Sequence, residues 1–175
     1  MMDLTAQESV NAEIYLENFY QGDLGAENLA TVESIPWSDW LKTWLNALRQ
    51  SEQLADNYEI SLRLTSDREI QELNQQYRFK DQPTDVLAFA ATETEIPLPP
   101  DLSEPIYLGD IIISLDTAVK QAKSQNHSLT TELAWLASHG LLHLLGWDHP
   151  DDQSLDQMLQ RQSELIQIIG LKAGD

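Results

Sequence analysis

The chain has 175 residues, 42% of them apolar, and no cysteine. That is enough to bury one sizeable core, and it excludes disulfides and thiolate metal sites, leaving histidine and carboxylate to bind any metal. A net charge of −19, from 29 acids and 10 bases, argues against loose nonspecific nucleic-acid binding, though not against a small local basic pocket. No stretch reaches the roughly 18 apolar residues of a membrane span, and the first 20 residues lack a basic cluster followed by an apolar run. A soluble, cytoplasmic protein is expected.

Residues 10–16 alternate, with Val10, Ala12, Ile14 and Leu16 opposite Asn11, Glu13 and Tyr15. That period of two predicts a strand with one buried face, a helix being the competing reading. Residues 21–35 are acidic and weakly patterned, with Gly22 and Gly25, and read as a loop or insertion. Pro36 and Ser38 open a helix predicted to reach about residue 53, with Trp37, Trp40, Leu41, Trp44, Leu45 and Leu48 as its apolar stripe. Tryptophans at helical spacing read as core, with base stacking as the alternative.

Residues 58–65 alternate again, with Ile60, Leu62 and Leu64 on one side, and predict a strand. Ser66 and Glu69 fit a capping box opening a helix to about residue 77. Arg78 and Lys80 follow, then a turn at Asp81, Gln82 and Pro83, then a short strand over 86–89. Residues 92–105 hold prolines at 97, 99, 100 and 105 and cannot be the interior of a regular element; a lid, a binding loop or a disordered segment fits them. Residues 107–114 (Y-L-G-D-I-I-I-S) give the strongest strand signal and predict a central strand buried on both faces. A helix over 116–125 follows, and His127 reads as a surface residue in the polar loop after it.

A helix is predicted to start at Ser128 or Thr130. Between 133 and 145 its only polar side chains are Ser138, His139 and His143, so it is expected to be buried nearly all round. Ser154 and Gln157 fit a second capping box, and the last helix directs Leu155, Met158, Leu159, Leu165, Ile166 and Ile169 inward. The order of elements predicts an α+β fold, a small mixed sheet of about four strands covered by helices. Neither an internal repeat nor a domain boundary is visible, so residues 1–175 read as a single domain.

The chemistry concentrates in residues 138–150, S-H-G-L-L-H-L-L-G-W-D-H-P. His139 and His143 are one helical turn apart on one face. Gly146 can end the helix with a left-handed turn, letting His149 fold back. Three imidazoles form a tripod that leaves one corner of a tetrahedral metal open for water or substrate. The metzincin proteases share the H-x3-H-x2-G-x2-H spacing but carry Glu after the first His. Here that position is Gly140, so the tripod is present and the protease's general base is not. Zinc is the expected ion, and nickel, copper or iron also suit three imidazoles. A structural zinc normally takes four protein ligands, and Asp148 or Asp151 could supply the fourth. Asp148 reads either as a partner orienting an imidazole or as a turn residue. Asp85 and Asp110 are weaker candidates, the first for holding the loop that carries Arg78. Arg78 itself can fork onto two phosphate oxygens, the alternative being a surface ion pair.

The segment H-G-L-L-H-L-L-G-W-D-H resembles the signature of the YbeY family of single-strand-specific endoribonucleases, H-G-x-L-H-L-x-G-aromatic-D-H, at every fixed position. Residues 74–89 (N-Q-Q-Y-R-F-K-D-Q-P-T-D-V-L-A-F) and 108–114 (L-G-D-I-I-I-S) resemble two further segments of that family. The resemblance implies a zincin-like fold, a metal on His139, His143 and His149, Arg78 as the family's functional arginine, and a part for His143 in catalysis. It also implies a role in maturing the 3′ end of 16S ribosomal RNA and in ribosome quality control, with ribosomal RNA, the ribosome or ribosomal proteins as partners. A metallopeptidase with an unusual base and a noncatalytic ribosome-assembly factor with a structural metal are the competing readings.

Overall fold

Alternating burial sorts the two faces of the sheet in this computed structural model, which describes residues 9–94 and 104–173. In strand β2 (Asn57–Thr65), Ile60, Leu62 and Leu64 are at most 1% exposed, while Glu59, Ser61 and Arg63 between them are half-buried. Strand β1 (Asn11–Asn18) runs parallel to β2, and β2 runs parallel to β4 (Ile106–Ser114). Strand β3 (Val86–Ala90) pairs with β4 antiparallel, so the mixed sheet has the order β1-β2-β4-β3. The isoleucine run therefore lies in a central strand, as its apolarity predicts. Ile111 and Ile113 face the main core, and Ile112 on the other side meets Ile70 and Leu87.

Six helices complete the α+β architecture: α1 (Ala26–Ser34), α2 (Trp37–Glu52), α3 (Asp67–Arg78), α4 (Leu115–Ser124), α5 (Leu129–Leu144) and α6 (Asp152–Ile168). The stripe predicted for α2 is buried, with Leu41, Trp44, Leu45 and Leu48 fully so. The Trp44 indole nitrogen donates to the Leu165 carbonyl at 2.9 Å and ties α2 to α6. With Trp37 and Trp40 at 4% and 6% exposure, these rings have no face free for a base. The Ser66 hydroxyl caps α3 by accepting from the Glu69 amide; the Glu69 carboxylate turns instead to Arg63. Among the described residues, no helix is long and apolar enough to cross a membrane.

Four expectations need correction. Part of the acidic segment expected to be a loop is helix α1, in which Val32 is the buried residue and Leu29 is exposed. With so little buried surface, hydrophobic periodicity has almost nothing to report. Helix α6 starts earlier than Ser154: Asp151 is its N-cap, and Ser154 closes a reciprocal capping box from the third helical position. Leu159 and Leu16 are exposed rather than inward, and the inward position on α6 belongs to Gln162. His127 is not a surface residue: its ring is 7% exposed and contacts the Glu132 carboxylate, itself 4% exposed, in the first turn of α5. Burial without a partner is costly for a carboxylate, and the imidazole relieves that cost. Of the proline-rich stretch 92–105, residues 92–94 belong to a single 3-10 turn (Ala91–Thr94), and 95–103 lie outside the described residues.

Candidate metal centre

Helix α5 is fixed before it delivers any ligand. Ser128 caps its start, its hydroxyl accepting from the Thr131 amide at 3.1 Å. Leu133, Ala134, Ala137, Leu141 and Leu142 are then fully buried, as the near-absence of polar side chains predicts. One turn apart on this packed helix, His139 and His143 bring their Nε2 atoms to 3.0 Å. Gly146 adopts a φ of 99°, a conformation open to glycine and strained for other residues, and the chain reverses. The Trp147 amide donates back to the Leu142 carbonyl, and the Trp147 indole donates to the Glu52 carboxylate of α2 at 2.9 Å. This double anchor returns His149 to within 5.8 Å and 5.5 Å of the other two rings, centroid to centroid.

One ring nitrogen from each histidine lies within 4.8 Å of the others, so the group could hold a metal ion. Nitrogens sharing a tetrahedral zinc at about 2.0–2.1 Å stand about 3.3 Å apart, close to the His139–His143 separation. Burial pushes the His139 imidazole below its ordinary range, against the pull of its Gln162 hydrogen bond. Burial lowers His143 too, helped by the neighbouring His139 and His149. Both rings are therefore held neutral, the form that ligates. Among the described residues no carboxylate joins the cluster. Asp148 accepts from the His149 amide at 2.8 Å, which makes it a turn residue, and Asp151 is committed to capping α6. The fourth corner that either might have closed is not theirs.

Gln162, which the sequence did not single out, orients His139. It is fully buried on α6; its Oε1 lies 3.0 Å from His139 Nδ1, and its Nε2 donates to the Trp135 carbonyl at 3.2 Å. With the amide group fixed by Trp135, Oε1 must accept, so Nδ1 carries the proton and Nε2 presents its lone pair to the cluster. The available signal was a polar residue four positions after Met158 on an otherwise apolar stripe.

Gly140 has a packing reason of its own. A Cβ there would sit 2.8 Å from Ile111 Cγ2, so any side chain at this position has to push Ile111 aside. The general base that metzincins carry here could not be added without displacing the Ile111 side chain.

His139 and His143 line a cleft of about 550 Å³ whose other walls include Arg78, Lys80, Glu93 and Trp147. Arg78, in the last turn of α3, donates to the Ala88 carbonyl at 2.9 Å, pairs with Glu93 at 3.3 Å and lies over the Phe89 ring at 4.9 Å. Arg78 thus shares one cleft with His139 and His143. Asp85 does not enter it as a ligand: its carboxylate takes the Thr84 hydroxyl and the Val86 amide, and its carbonyl pairs with Ser114. Asp110 accepts the Tyr107 hydroxyl and lines a separate hollow on the other face of the sheet.

Comparison with known proteins agrees with this geometry. The sequence model of the family described as endoribonuclease YbeY matches residues 26–170. The endoribonuclease YbeY of Trichormus variabilis is 57% identical over 142 residues, covering 81% of each chain. That of Picosynechococcus sp. is 51% identical over 167 residues, covering 94% of this chain and 98% of its own. Among solved structures, TM1509 from Thermotoga maritima aligns with a TM-score of 0.52 and 25% identity, covering 90% of this chain and 89% of the other. With the fold, the histidine cluster and these relatives in agreement, this chain belongs to the endoribonuclease YbeY family.

Proposed function

We propose that this chain is a single-domain, metal-dependent endoribonuclease that cuts single-stranded RNA, working in the cytoplasm on the 3′ end of 16S ribosomal RNA and in ribosome quality control. The observation that carries the reading is one cleft with His139 and His143 on one wall and Arg78 on another, with His149 converging on the two histidines. His139, His143 and His149 are the residues to hold the ion, and zinc suits a donor set of neutral nitrogens without thiolate. When bound, zinc supplies Lewis acidity that lowers the pKa of water from about 15.7 towards 7.

The chain's own residues do the rest. Gly140 leaves no carboxylate at the position after His139, where a metzincin carries its general base. The Arg78 guanidinium is aimed by the Ala88 carbonyl and the Phe89 ring, and offers its remaining donors to a phosphodiester. Its pair with Glu93 is half exposed and worth at most about 1 kcal/mol, so a phosphate can displace it. Arg78 then opposes the charge that builds on the phosphoryl oxygens as the bond breaks. His143 contributes through ligation, and the burial that lowers its pKa favours the neutral form that ligates. Outside the cleft, the −19 net charge suits docking to basic ribosomal proteins.

The test uses pure protein with single-stranded and duplex RNA, with and without chelator. Cleavage of the single strand alone, lost with chelator and restored by zinc, is expected. Cleavage that survives chelation, or cutting of unfolded protein in place of RNA, overturns the reading. A 2′-deoxy substitution at the scissile nucleotide identifies the nucleophile: surviving cleavage excludes attack by the RNA's own 2′-hydroxyl.

A further inference from the structure

Phe79 occupies an unusual position. It ends α3 in the left-handed region, with φ 60° and ψ 31°, and its side chain is 90% exposed. Glycine is the residue that takes this helix-ending conformation without strain; a bulky side chain there is an outlier. Phe79 therefore costs stability through its backbone, and its ring, left in water, returns almost none by burial. Nothing among the described residues stacks on it, whereas its neighbour Tyr77 packs against Phe89.

The segment that presents the ring is held still. Asn74, 4% exposed, donates to the Gln82 carbonyl at 2.9 Å, and Gln71 donates to Asp81 at 3.0 Å. The Lys80 amide returns to the Asn74 carbonyl at 3.2 Å. On either side of Phe79 stand Arg78 and Lys80, both lining the metal cleft. Lys80 has no ion-pair partner among the described residues, in a chain with almost three acids for every base. A cation, an exposed ring and a second cation in sequence, at the rim of a phosphate-cutting cleft, form a short stacking platform of the type that binds unpaired nucleotides.

We propose that Phe79 stacks on an unpaired base of the RNA beside the scissile phosphate, with Lys80 on the adjoining phosphate, and so reads single-strandedness. A base inside a duplex keeps both faces covered by its neighbours and cannot offer one to this ring. The inference rests on the endoribonuclease reading and adds a recognition residue outside the metal cluster.

The test compares the zinc-loaded parent with Phe79→Ala, Phe79→Gly and Phe79→Trp, using a single-stranded RNA and the same RNA with one base at a time removed. Phe79→Ala should raise KM about five- to a hundredfold with kcat little changed, and Phe79→Trp should hold the parent KM. Phe79→Gly should raise KM while also raising Tm, since glycine removes the backbone strain; a purely structural role for the ring predicts the two moving together for the worse. In the parent, one abasic position should carry a KM penalty that disappears in Phe79→Ala. KM values for Phe79→Ala and Phe79→Gly within twofold of the parent, or an abasic penalty unchanged by Phe79→Ala, overturn the inference and leave the nuclease standing. A parent that neither binds nor cuts single-stranded RNA overturns both. Unchanged RNA kinetics with lost retention on ribosomal subunits would reassign Phe79 to a protein contact.

Discussion

The two walls of the cleft are built on different physics. The histidine wall grows from α5, a helix buried nearly all round and locked to α6 through Gln162 and to α2 through the Trp147–Glu52 bond. The arginine wall is the end of α3 and the turn after it, where Arg78, Phe79 and Lys80 are exposed. The first is preorganised by packing, which suits the proposed grip of three nitrogens on one ion. The second is held by a few backbone-directed bonds and an exchangeable ion pair, which suits groups that must let go of product. Rigidity here follows what each wall has to bind.

That contrast can be broken from the arginine side with the largest effect on activity. Arg78→Ala should lower kcat/KM for RNA about 10²- to 10³-fold, as removing one donor to a developing charge does. Arg78→Lys should recover only part, because an ammonium cannot fork onto two oxygens. Metal content and Tm should be unchanged in both; a fall in metal content would mean that the walls are not separable.

On the histidine side, Gln162→Leu keeps the volume and removes the acceptor that fixes the His139 tautomer. Zinc affinity should fall about 10- to 100-fold in a competition titration, with the circular dichroism spectrum preserved. Unchanged affinity would show that the His139 ring is oriented without it.

Gly140→Ala sharpens the packing argument. The added methyl has to displace Ile111, costing about 1–3 kcal/mol of stability, with up to about 1 kcal/mol returned by better helix propensity. Denaturant melts measure it, and a stabilised variant would remove the steric reason given for the missing base.

The smallest effect is in pH. Because the folded chain holds His139 and His143 below the ordinary imidazole value of 6.5, the unfolded chain takes up protons at these rings first as pH falls. Stability of the metal-free protein should thus be complete above about pH 6.5 and decline as pH drops below it. Zinc retention should follow the same sign, since protons and metal compete for the same nitrogens. A metal-free protein that gains stability on acidification through this window would contradict the neutral, buried state of the rings.

Much of the histidine wall was legible because its signals are local. The spacing of His139, His143, Gly146 and His149 fixes a turn-and-return geometry within eleven residues, and the isoleucines of β4 declare a central strand. What was hidden depends on distant contacts. Gln162 and Glu52 find their partners only after α6 and α2 pack on the core. His127 read as exposed because its partner Glu132 lies across a helix cap. Helix α1 escaped notice because it buries so little. Arg78 is marked by the family resemblance as much as by its chemistry, since nothing in the sequence says that the end of α3 lines the same cleft as α5.

The most direct test of the account is metal content measured together with RNA cleavage in the parent and His143→Ala. The parent should hold one zinc per chain and lose cleavage with chelator while remaining folded. His143→Ala should bind no stoichiometric zinc, cut no RNA, and melt near the metal-free parent. A metal-free or His143→Ala protein that unfolds outright would make the metal a scaffold, and a His143→Ala protein that still cuts RNA would remove the tripod from the chemistry altogether.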